Sequence, residues 1–200
     1  MSDGLTLPTH SYAEPAGPTR SWTSLLVRVL VLVGVFVGAG IGGGYAWRYL
    51  WTPPAGEAVE GTWVPTPVEE GLQNDFSGVA WYVVVAVALG LVLGLVTALV
   101  LDRAELVGVA VAVLGSALAA YLVLTTGERL SPPDPDEVAA QAQEGDEIPG
   151  DLEFDGWTPL LGLPAGAMAT LGITYLLTER RGRRDEVGAA AYYATYSYPE

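Results

Sequence analysis

The stretch GVAWYVVVAVALGLVLGLVTALVL occupies residues 78–101, DRAE follows at 102–105, and LVGVAVAVLGSALAAYLVLT runs from 106 to 125. Two apolar runs separated by so short a charged break decide the fold. A hydrocarbon core ~30 Å thick is crossed by about 20 apolar residues in a helix, and each run meets that length. Read as one long helix, the chain would hold Asp102 and Arg103 at the middle of a bilayer, a costly position for charge. The break therefore predicts a turn in water at 102–105, with the flanking helices as antiparallel neighbours.

Two more apolar runs lie outside this pair, at 24–48 and 157–178. The reading is an all-α membrane protein, with four transmembrane helices in an antiparallel bundle. Two acidic extracytoplasmic loops, 49–77 and 126–156, join them. A leader at 1–23 and a Tyr-rich tail with an Arg flank at 179–200 are expected to be disordered and cytoplasmic. The first run is longer than a signal-peptide core and ends in the aromatic cluster Trp47-Arg48-Tyr49-Leu50-Trp51 rather than at a small-residue cleavage site. Trp47, Trp51, Trp81 and Trp157 are read as anchors at the membrane interface.

Composition agrees. Charged residues make up 16% of the chain, against about 25% in soluble domains. The distribution of charge is more informative than the net −14. Arg103, Arg180, Arg181, Arg183 and Arg184, with Arg20 and Arg28, fall in the leader, the turn and the C-terminal flank. Only Arg48 and Arg129 border the long loops. Basic residues mark the cytoplasmic side, so both termini are expected inside the cell, in the plasma membrane. The outer loops hold most of the acids, a surface that repels nucleic acid.

Little in the spans can do chemistry. Cys is absent and the single His, His10, sits in the leader, so thiolate or histidine sites in the bundle are ruled out. The hydroxyls of Thr97, Ser116, Tyr121, Thr170 and Thr174 are among the polar side chains within the runs, and in helices Ser and Thr hydroxyls usually bond to their own backbone. Asp151-Leu-Glu-Phe-Asp-Gly156 starts like a calcium loop, but position twelve is Gly162 in the fourth run and the bidentate Glu is missing. No cofactor or metal is expected.

Small residues at four-residue spacing are the strongest local pattern. They include Gly34, Gly38 and Gly42 in the first run, with Gly40 and Gly44 overlapping. Gly90 and Gly94 stand in the second run, and Gly162 and Gly166 in the fourth. This spacing puts them on one helix face, where backbones can approach closely. The pattern predicts helix packing within the bundle or, through the first run, between copies. Three local elements are expected in the loops: a strand at Thr62-Trp63-Val64, a short acidic helix from Asp136 to Gln143 with Val138, Ala139 and Ala142 on one side, and a strand-like alternation at 151–155. Pro164 is expected to kink the fourth helix. The two halves share a span–proline pair–acidic loop–span order compatible with a parallel repeat.

The motifs Asp75-Phe76-Ser77-Gly78 before Trp81 and the Gly90/Gly94 helix, Ser131–Asp136 with its three prolines, Ala139-Ala140 with Gly145-Asp146, and the Leu163-Pro164 span resemble uncharacterised four-span membrane proteins of actinobacteria, a domain family of unknown function. The resemblance covers residues 24–178 and implies the topology alone, with no activity or site. The function expected is that of a non-catalytic envelope scaffold or accessory subunit, acting through helix packing and loop contacts with lipid, an envelope protein or a second copy. The alternative is a component of a small-solute transporter or channel.

Overall fold

The computed structural model describes residues 22–102, 104–152 and 156–178, with backbone course alone for 68–75. The first helix, α1, spans Trp22–Leu50. The second, α2, spans Val68–Val100, and α3 spans Glu105–Arg129. A 3-10 turn, Thr158–Leu161, leads into α5 at 162–178. Four helical segments are long and apolar enough to cross a membrane: Trp22–Leu50, Phe76–Val100, Glu105–Arg129 and Thr158–Thr178. The protein is thus a multi-pass membrane protein by length and composition of its helices.

Helix α2 begins earlier than the apolar run does. Pro67 stands at its N-cap position, where a missing N–H is harmless. The polar residues after it extend the helix by about three turns beyond the apolar segment.

Successive helices alternate in direction. Near the start of α1, the Arg28 guanidinium donates to Val100 O at the end of α2, at 3.1 Å. Near the end of α1, Trp47 Nε1 donates to Gly78 O, at 2.8 Å. Tyr82 of α2 donates to Ala120 O of α3, while Ala98 packs with Ala112. The closest backbone approaches, however, join alternate helices. Gly40 faces Ala119 and Leu122, and Gly44 faces Val123 and Thr126. Numbers rise together along this seam, so α1 and α3 run in the same direction. Gly166 against Val87 and Leu91, and Gly94 against Ala167, define a second parallel seam between α2 and α5.

Pro164 is the third residue of α5. In the first turn, where N–H groups have no helical partner, proline is tolerated. The irregular backbone lies ahead of it, in the 3-10 turn, so the expected mid-span break is replaced by a helix start.

A small sheet, absent from the all-α expectation, covers one end of the bundle. Its strands are β1 (Ala55–Val59), β2 (Thr62–Pro65) and β3 (Glu147–Pro149), in the order β2-β1-β3 with both pairings antiparallel. Val59 pairs with Thr62, leaving Glu60-Gly61 as a two-residue turn. Both have positive φ, 52° and 78°, the requirement of the hairpin turn that matches strand twist. Gly61→Val should cost about 1–2 kcal/mol, because a branched side chain is disfavoured there. Hydrogen exchange is expected to speed up at the β1–β2 amides while the helix cores stay protected.

The short helix α4 is Pro135–Ala139, starting one residue earlier and ending four residues sooner than the expected 136–143, with the Asp134 carboxylate accepting from Asp136 N at 2.9 Å as its cap. Ala58, Ala139 and Ile148 form a separate small core under Trp63, Val138 and Ala142. The strand of the second loop lies at 147–149, ahead of the alternation expected at 151–155. Gly150 N bonds Pro54 O and Leu152 N bonds Ser131 Oγ, which takes the chain out of the sheet. Leu152 then buries in the main bundle core. Residues 153–155 lie outside the described residues. The loops of the two halves therefore fold differently, a hairpin in one and a helix with a strand in the other, and together they complete one cap.

Candidate functional site

The glycine pattern divides into an inner and an outer set. A Cβ on Gly40 would lie 2.9 Å from Ala119 O, and one on Gly43 2.6 Å from Leu89 Cδ1. Opposite, Gly115 leaves room for the Phe36 ring and Gly127 for the Trp47 indole. Across the second seam, Gly90 meets the Leu163 carbonyl and Gly94 the Ala167 backbone. Gly166 would bring a Cβ within 2.8 Å of Val87 O, whereas Gly162 has ordinary contact room, 3.5 Å from Ala86 Cβ. Real Cβ atoms do not sit within 3 Å of backbone, so Gly40, Gly90, Gly94 and Gly166 are required for the bundle to close.

Gly34, Gly38 and Gly42 behave otherwise. They are exposed, and a Cβ on any of them meets nothing within 4 Å. The expectation that they pack inside the bundle is corrected: a helix has one inner stripe, and Phe36, Gly40, Gly43, Gly44 and Trp47 occupy it. Spacing alone cannot rank two overlapping four-residue series on one glycine-rich helix. The large buried residues Leu32, Phe36 and Trp47 mark the inward stripe, and their spacing is visible in the chain.

Two of the four tryptophans also differ from expectation. Trp47 is fully buried, packs edge-on against Tyr82 with ring centroids 5.0 Å apart, and bonds Gly78 O. Trp51 is buried beneath the cap, with the Arg48 guanidinium 5.5 Å from its ring centre, within cation–π range. They are core and cap-joint residues rather than headgroup anchors, because the cap folds down over the end of α1. Trp81 and Trp157 are 39% and 69% exposed. Arg103, Arg180, Arg181, Arg183 and Arg184 lie outside the described residues.

The cap is pinned by a third indole. Trp63 Nε1 donates to Ile148 O at 3.0 Å, and Trp63 N donates to Asp136 Oδ1 at 3.0 Å. Gly56 and Gly150 lie against its ring. These bonds tie β2 to α4 and, across the face of Gly56, to β3, and the Asp136 bond occupies an N–H on the outer edge of β2 that would otherwise be open to another strand. Asp134, Asp136, Glu137, Glu144, Asp146 and Glu147 are exposed around it, so the cap presents an acidic surface. Glu128, Asp134 and Asp151 line a cavity of about 320 Å³ beside Ser131 and Pro132. Among the described residues no three acids or histidines are grouped to hold a metal ion.

Inside the bundle, the hydroxyls of Thr97, Ser116 and Thr174 turn back on their own helices, whereas the Tyr82 hydroxyl crosses to Ala120 O of α3. Thr97 donates to Leu93 O at 2.8 Å, Ser116 to Val113 O at 3.1 Å, and Thr174 to Thr170 O at 2.8 Å. Among the described residues the Tyr175 hydroxyl, above Gly108, is the one buried side-chain polar atom without a partner. The Arg28 bond to Val100 O places that charge at the bundle end away from the cap, as expected for a residue that snorkels.

Comparison with known proteins returns no match: no family model, no curated protein and no solved structure is similar to this chain.

Proposed function

We propose that the protein is a non-catalytic envelope scaffold or accessory subunit, in the plasma membrane with its termini in the cytoplasm and its acidic cap outside. The single observation that carries this reading is the outer glycine face of α1. Gly34, Gly38 and Gly42 are exposed with open space before them. Each glycine weakens a helix by about 1 kcal/mol relative to alanine, and these three gain no internal packing in return. A second transmembrane helix, from another copy or from an envelope protein, would recover that loss by close backbone approach. The Arg distribution supports the orientation, and the four long apolar helices support the topology. The hydroxyl bonding inside the bundle gives the transporter alternative no support.

The test is chemical cross-linking in native membranes, followed by purification of the tagged chain. Gly38→Ile is expected to abolish the cross-linked species, homo-oligomer or heteromer, while leaving detergent stability unchanged. A cross-linked species that survives Gly38→Ile with undiminished yield contradicts the proposal.

A further inference from the structure

We draw no further inference here: the strongest candidate, the apolar groove between α1 and α3 with Val29 and Val33 on one wall and Ala110, Val111 and Leu114 on the other, carries none because nothing in the structure shows what covers it.

Discussion

Gly94→Leu is expected to open the bundle. A Cβ there would lie within 2.8 Å of Ala167 Cα and 2.9 Å of its carbonyl carbon, and backbone cannot rotate away as a side chain can. Overpacking a well-filled core costs typically about 1–3 kcal/mol. With rigid backbone as the neighbour, the loss should reach about 3 kcal/mol, read as a lower midpoint in an SDS titration followed by helical circular dichroism. Gly38→Leu, on the same residue type and a similar depth of span, is the matched control. Its side chain enters open space, and its effect on the isolated chain should stay within about 0.5 kcal/mol. Equal losses in the two variants would mean that the seam has been placed on the wrong face.

Trp47→Ala is expected to cost about 3–5 kcal/mol, the range for deleting a large buried aromatic. The indole fills the space over Gly127, meets Tyr82 edge-on and satisfies Gly78 O. It therefore joins α1, α2 and α3 at the level where the cap begins. Trp47→Phe should retain most of the packing and lose the bond, at about 1–2 kcal/mol. Trp157→Ala, at a 69% exposed position, should change stability by less than about 1 kcal/mol. Thermal unfolding in one detergent ranks the three variants. A Trp157 effect as large as that of Trp47 would contradict the assignment of one to the core and the other to the interface.

Why the four helices were legible and the cap was not follows from the range of the interactions. Apolar length is a local property, and lipid demands it of every span whatever its neighbours, so the run at 78–101 and the break at Asp102 could be read directly. The strand at Thr62–Pro65 and the helix at Pro135–Ala139 were legible for the same reason, the helix through its one-sided Val138 and Ala139, although it ends well short of Gln143. Strand β3 depended on a partner more than eighty residues away: Ile148 pairs with Gly56, and nothing local in Glu147-Ile148-Pro149 marks a strand. Trp47 and Trp51 were misplaced because an aromatic at the end of an apolar run looks alike whether water or a folded cap lies beyond it. The glycine faces illustrate the limit most clearly. Gly38 and Gly40 are two residues apart on one helix, and the large residues that share the stripe of Gly40, Leu32, Phe36 and Trp47, determine which faces inward.

The most direct measurement uses the natural absence of cysteine. Single cysteines at Gly61 and Gly145, turn positions with no neighbour within 4 Å, can be labelled with a membrane-impermeant maleimide on intact cells. Four spans with both loops joined in one outer cap predict that both sites react before lysis. Labelling at one site with protection of the other until lysis would contradict that architecture, and protection of both would reverse its orientation.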